Sequence, residues 1–436
     1  MFLDLTLRNF KIWKSTKLVR LAPVTFLLGT NSSGKSSLIQ SLLLIRQTVR
    51  KDDPNVALDF GTEGTNDSVA LGQFSDVRCR TASENTIGIE FTWTPTGQVH
   101  DAMKFDAVYK STPTDAAEIA SLRIGREQQS FYVKRQVGGA YRLFIGETKT
   151  SFGNSRQFRP QGSFTFSAAM LARLPQEQSR IVRDAGSKLL EELAKIIYLG
   201  PVRQLAKRHY QWNGIPPATI GDDGSRAVDA LIASGIATDK SGDGGELLKK
   251  TGEWLARMGL ADSLAVRRLG KSPLYELRVL KDGSGSNIRD VGVGVSQVLP
   301  VIVAALHAQP GHIVLVEEPE SHLHPLAQAT LAELFVQVGK ERGIQIIAET
   351  HSEHLFRRVQ TLLAKQEIKP EECALYFVEK NENEASLREL KTDEMGRISN
   401  WPEKFFGDSL GETKTQTWIM LQRLKEAKQS HERPTD

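Results

Sequence analysis

The chain has 436 residues, 40% of them hydrophobic and 25% charged, with a net charge of +4. That length exceeds what one compact core usually holds, so one large domain carrying an insertion, or two lobes, is expected. The mild basicity permits nucleic-acid contact without arguing for it. Two distant cysteines, Cys79 and Cys373, exclude a disulfide framework or a zinc ribbon and fit a reducing compartment. The apolar run at 298–306 is too short to span a bilayer, and MFLDLTLRNFKIWK does not read as a signal peptide. A cytoplasmic protein is expected.

In chain order, FLDLTLRNF, KLVRLA and VTFLLG read as strands, the last ending at a glycine. GTNSSGKSSLIQSLLLIRQTV reads as a loop feeding an amphipathic helix to about residue 50. Between 85 and 150, short alternating segments separated by Gly, Pro, Thr and Asn predict an antiparallel meander. Residues 151–163 read as loop and 166–197 as helical. YLGPVR then turns into a basic segment, and 226–262 is helical with Gly/Asp-rich breaks. LYELRVL predicts a strand and KDGSGSN a turn. From about 290, helix and strand alternate through SQVLPVIVAALHA, HIVLVEE, PLAQATLAELFVQVGKERG, IQIIAET, SEHLFRRVQTLLAKQ and ALYFVEK, with SLRELK a further strand. That alternation predicts a mostly parallel sheet, hence an α/β fold. The tail beyond Lys414 reads as a helix and then a polar, disordered end. The expected division is 1–80, an insertion at 81–197 that sets specificity or oligomerisation, 198–410, and a tail at 411–436.

Gly29, Thr30, Asn31, Ser32, Ser33, Gly34, Lys35 and Ser36, followed by Ser37, match G-x-x-x-x-G-K-[ST] between an apolar strand and an amphipathic helix. The glycines let backbone N–H groups curl towards phosphates and the helix adds its dipole. Lys35 reaches the β/γ-phosphates and the Ser36 hydroxyl ligates Mg²⁺. Glu317 and Glu318 close the strand run 313–316, at the strand end where α/β sheets bind ligands. By position, Glu317 is the metal carboxylate and Glu318 the general base for water. Asp290-Val-Gly-Val-Gly-Val-Ser-Gln297 opens a helix, with Gly292, Gly294, Ser296 and Gln297 forming a second phosphate cradle. One γ-phosphate does not need two cradles, so the second is expected to serve a nucleotide held by another copy. His351, at the end of IQIIAETHS, is the candidate γ-phosphate sensor.

This order of motifs resembles the ATP-binding-cassette ATPases. It most resembles the SMC-like branch that includes OLD-type ATPases and the ATPase subunits of bacterial anti-phage systems such as Septu and PARIS. LRNFKIW, the GxNSSGKSS loop, YLGPVR, VGVGVSQVLP, EEPESHLHP and WPEKFF (401–406) carry the resemblance, which is thin across 80–190. It implies an ABC-type ATPase head using ATP and Mg²⁺, in a head-to-tail homodimer whose ATP sites lie between one phosphate loop and the other copy's Ser-Gln signature. It makes His351 the switch histidine, residues 321–325 the loop crossing the dimer seam, and Gln73 in LGQFSDV a further Mg²⁺ and water contact. Glu317 stands where that family usually has aspartate. A transition-metal site of Glu320, His322, His324, His351 and His354 is the alternative reading of the histidine cluster.

The function expected from the resemblance is a defence ATPase controlling a separate effector, such as a nuclease, in trans. The alternatives are a DNA-maintenance ATPase, with Arg203, Lys207, Arg208 and the basic residues of 126–142 on phosphate, or an ATP-dependent assembly scaffold. A transporter engine is disfavoured by the long separation of phosphate loop and signature and by the lack of a membrane segment.

Overall fold

The computed structural model describes residues 1–64, 67–126, 129–146, 150–241, 245–381, 384–400 and 418–419. The WPEKFF motif and most of the expected C-terminal helix and tail lie outside the described residues. Strands β1 (Phe2–Phe10), β2 (Trp13–Ser15) and β3 (Val19–Arg20) precede β4 (Val24–Gly29), and helix α1 (Lys35–Thr48) follows the glycine loop. After the short α2 (Phe74–Val77) come the meander strands β5 (Thr86–Trp93), β6 (Met103–Ser111), β7 (Ala117–Gly125), β8 (Ser130–Arg135), β9 (Tyr141–Ile145) and β10 (Thr150–Ser155). Then come α3 (Ala168–Leu171) and α4 (Gln176–Ala194). The meander does not stand apart. Its β5 pairs antiparallel with β1, so one sheet runs β10-β9-β8-β7-β6-β5-β1-β2 with β3 also on β1. The alternating burial of β6 puts Met103, Phe105, Ala107 and Tyr109 on the face covered by α4 and leaves polar residues between them.

Two expectations fail here. The segment 166–197 is not helical to its end, because α4 stops at Ala194 and Ile196–Leu199 forms strand β11. The Ile-Ile-Tyr-Leu run is apolar enough for either state, and parallel pairing with β16 (Ile313–Glu317) decides it. Residues 150–155, expected in part as loop, pair with β9.

After β12 (Tyr210–Gln211), α5 (Ala227–Ser241) and α6 (Glu246–Arg257), a small antiparallel sheet forms from β13 (Ser263–Arg268), β14 (Leu274–Lys281) and β15 (Ser284–Asn287) with β12. KDGSGSN therefore supplies a hairpin turn and its returning strand. Helix α7 (Val293–His307) leads into β16, and α8 (Pro325–Arg342), β17 (Gln345–Glu349), α9 (Glu353–Ala364), β18 (Cys373–Asn381) and β19 (Glu384–Glu389) follow. The second main sheet runs β11-β16-β17-β4-β18-β19, parallel except for the β18–β19 hairpin.

This sheet divides two apolar cores, because successive side chains of a strand face opposite ways. Leu27, Ile313, Leu315, Ile347 and Tyr376 face α1 and the antiparallel sheet. Phe26, Leu28, Val314, Val316, Ile346 and Phe377 face α7, α8 and α9. The mixed α/β layers bring the C-terminal ends of β16, β17 and β4 side by side: Glu317 pairs with Glu349, and Glu349 with Leu27.

Candidate nucleotide site

Strand β4 delivers the loop through Gly29, at φ +148°, where a Cβ would sit 2.2 Å from the Val378 carbonyl oxygen. Only glycine fits there. Gly34, at φ +106°, packs over Ile12 and Trp13, and the Trp13 indole N–H donates to its carbonyl at 3.1 Å. Thr30, Asn31 and Ser32 are exposed, whereas Ser33 and Ser37 are buried. Helix α1 starts at Lys35 with no side-chain cap, leaving its first N–H groups to a ligand. The Lys35 ammonium is buried and donates to the carbonyls of Thr30 at 2.8 Å and Gly29 at 3.2 Å. Burial lowers its pKa against the opposing pull of Glu349, Glu318 and Glu320.

Four carboxylates converge on this lysine. The Glu349 Oε1 accepts from the Ser36 hydroxyl at 3.1 Å and lies 3.7 Å from Lys35 Nζ, while its Oε2 is buried without a partner. Burial raises its pKa. Glu317 accepts from the Tyr198 hydroxyl at 2.8 Å, and burial followed by the Glu349 charge pushes its pKa up to about 7. Glu318 leaves the strand at φ +45°, its N–H bonded to the Glu349 carbonyl and its half-exposed carboxylate accepting from Ser321 at 3.2 Å. Glu320 is buried and accepts from the His351 N–H at 2.6 Å. His351 stands at the site's edge, its pKa lowered by burial and then by Lys35. The structure thus brings Ser36, Lys35, Glu317, Glu318 and His351 together.

Gln73 is placed otherwise. It caps α2, is exposed, and its N–H donates to the Asp76 carboxylate. No hydrogen bond among the described residues ties it to the phosphate loop. Arg203 is also misread as a nucleic-acid contact. It is buried, and its guanidinium donates to the carbonyls of Glu317 at 2.7 Å, Glu318 at 2.9 Å and Gln297 at 3.5 Å. It ties the acidic strand end to α7, and burial lowers its pKa to about 10. Arg208 is paired with Asp290. Among the described residues no group of three or more His, Cys, Asp or Glu side chains is placed to hold a metal ion, so the expected alternative cage of Glu320, His322, His324, His351 and His354 is not assembled. Oxygen donors in twos, Ser36 and a carboxylate, suit Mg²⁺, which takes its remaining oxygens from phosphates and water.

The signature opens α7. Gly292 caps the helix without a side-chain bond, Ser296 donates to the Val293 carbonyl, and Gln297 is buried. A Cβ on Gly294 would meet the His322 carbonyl at 2.8 Å, so the signature turn packs directly on the loop after Glu318. No hydrogen bond or ion pair among the described residues joins 29–37 to 292–297.

A family model described as an AAA domain, putative AbiEii toxin, type IV TA system, matches residues 110–357. The chain belongs to that family. Together with the phosphate loop, membership makes it a P-loop ATPase of the AAA kind. A second model, of a protein family of unknown function (DUF3696), matches 368–416. No curated protein matches the chain. Similar solved structures include an SMC head domain from Thermotoga maritima, 12% identical over 89% of this chain and 98% of that one, with a TM-score of 0.43. An SmcHead bound to the C-winged helix domain of ScpA is 12% identical over 90% and 98%, at 0.47. An Smc head domain with an extended coiled coil, bound to the C-terminal domain of ScpA derived from Pyrococcus furiosus, is 11% identical over 89% and 96%, at 0.44. No helix among the described residues is long and apolar enough to cross a membrane.

Sequence reading gave no site role to Glu349 or Tyr198, and it set Arg203 on nucleic acid rather than beneath the acidic strand end. Glu349 had a signal: the runs IVLVE and QIIAE end alike, and parallel pairing sets their glutamates side by side.

Proposed function

We propose that the chain hydrolyses ATP as an SMC-like ABC-type ATPase whose active unit is a head-to-tail dimer, and that it regulates a separate effector in bacterial anti-phage defence. The observation that carries the ATPase reading is the buried Lys35 and the partly buried Ser36 at the uncapped start of α1, set against carboxylates at the ends of two neighbouring strands. Lys35 would exchange its loop carbonyls for phosphate oxygens. Ser36 with Glu317 or its neighbour Glu349 would hold Mg²⁺, which neutralises phosphate charge. Glu318, half-exposed and hydrogen-bonded by Ser321, would take the proton of an attacking water. His351, anchored through its N–H to Glu320, would report on the γ-phosphate.

Support for the dimer comes from the signature cradle, which among the described residues has no hydrogen bond or ion pair to its own phosphate loop. Val293 in the first turn of α7, Leu326 in the first turn of α8, and Val202 and Leu205 beside Arg203 are all exposed. Apolar side chains around a phosphate-binding turn suit cover by a second copy. The defence role is supported by the family's description as a putative toxin of a type IV toxin–antitoxin system. DNA maintenance is less favoured, because Arg203 is buried against backbone carbonyls and is withdrawn from the surface.

The test is phage challenge of bacteria carrying the chain with its flanking genes. Protection is expected, and Lys35→Ala and Glu318→Gln should each abolish it, with purified Glu318→Gln retaining ATP binding while turnover falls about 100-fold or more. Equal plating with and without the genes would contradict the defence role, and unchanged turnover in Glu318→Gln would contradict the base assignment.

A further inference from the structure

We propose that Glu349, one strand nearer the phosphate loop than Glu317, is the protein carboxylate that meets the Mg²⁺ ion of bound ATP. The inference rests on reading 29–36 as the cradle for the nucleotide phosphates.

The sheet order carries the argument. Strand β17 lies between β16 and β4, so Glu349 stands between Glu317 and the strand that delivers the loop. In-register parallel pairing of Glu317 with Glu349, and of Glu349 with Leu27, directs both glutamate side chains to one face of the sheet, the face that α1 covers. The two carboxylates then differ in what they hold. Glu317 turns Oε1 to the Tyr198 hydroxyl on β11, on the side away from the loop. Glu349 turns Oε1 to the hydroxyl of Ser36, the residue that a phosphate loop uses for its metal, and to Lys35.

A second observation points to a missing ligand. Glu349 is only 5% exposed, and its Oε2 is buried with no hydrogen-bond partner. An orphaned buried carboxylate oxygen costs free energy unless something fills its lone pairs. A divalent cation shared with the Ser36 hydroxyl does so, and Mg²⁺ binds through one or two carboxylates plus phosphate oxygens rather than through an all-protein cage. Glu317 then acts as a positioning group, held by Tyr198 beneath and by Arg203 at its carbonyl. The usual assignment would give the metal to the residue preceding the base. Here the neighbouring strand places a glutamate closer.

The test uses the full chain with ADP and Mn²⁺, read by electron paramagnetic resonance of free Mn²⁺, beside mant-ADP binding in EDTA. Glu349→Gln should weaken Mn²⁺ binding to the protein–ADP complex by about 10- to 100-fold while leaving mant-ADP affinity in EDTA near the parent value. Glu317→Gln should cost less than Glu349→Gln. Glu349→Asp, which keeps the charge but shortens the reach, should fall between parent and Glu349→Gln. Parent-like Mn²⁺ affinity in Glu349→Gln would overturn the proposal, as would a larger loss in Glu317→Gln. Should Glu349→Gln lose nucleotide even in EDTA, the aspartate variant decides on the same scale. If the parent chain itself binds no mant-ADP, the phosphate-loop reading fails first, and Lys35→Ala, expected to abolish binding in all conditions, is the reference for that outcome.

Discussion

Glu317 retains its proton in the folded chain up to about 7, from an ordinary value of 4.5, because burial and then the Glu349 charge disfavour its ionised form. Between those values the folded state binds a proton that the unfolded state has lost, so this carboxyl's contribution to stability falls as pH rises through the window. The shift corresponds to on the order of 3 kcal/mol. Glu317→Gln keeps the shape and cannot ionise. Its stability relative to the parent should therefore rise between about pH 4.5 and about pH 7 and level off above, measured by denaturant unfolding in EDTA without nucleotide. The comparison with the parent removes the opposite slope from His307, His312 and His351, whose pKa values burial lowers. A stability difference that stays constant with pH would show that Glu317 is already ionised in the folded chain.

At the scale of elements, the phosphate loop is fixed by where β4 ends against β18. A methyl at Gly29 would enter the Val378 carbonyl and also demand a backbone that side chains rarely adopt. Gly29→Ala should cost roughly 2 to 4 kcal/mol in chemical denaturation, whereas Gly292→Ala, with open space around its Cβ, should stay within about 0.5 kcal/mol. Equal costs would mean that the β4–β18 register is not what shapes the loop. Much of this scaffold was legible in the sequence. Apolar runs ending in Gly29, Glu317 and Glu349 mark three parallel strands, and Gly292 and Gly294 mark the start of α7, because these signals are local. Strand β11 was not legible, since Ile196–Leu199 follows a helical pattern with no turn residue between and is decided by a partner more than 100 residues away. The union of the meander with β1 was hidden for the same reason, being a long-range pairing. Arg203 reads in sequence as surface charge, and only the fold shows its guanidinium spent on three carbonyls.

For the whole molecule, one mixed sheet divides two cores and carries the ATP machinery along a single edge. The acidic strand, the loop after it and α7 are fastened together through Arg203 and through the contact of Gly294 with the His322 carbonyl. In the proposed dimer these contacts would link a change at the γ-phosphate to the signature surface. The antiparallel sheet lies on the α1 side of this edge and touches the loop where Trp13 donates to the Gly34 carbonyl. The measurement that tests this account most directly is the solution mass of Glu318→Gln, by light scattering, with Mg-ATP and without nucleotide. The account predicts a monomer without nucleotide, a dimer with Mg-ATP, and no dimer once Ser296→Arg is added. A mass that ignores nucleotide, or a dimer that survives Ser296→Arg, would contradict it.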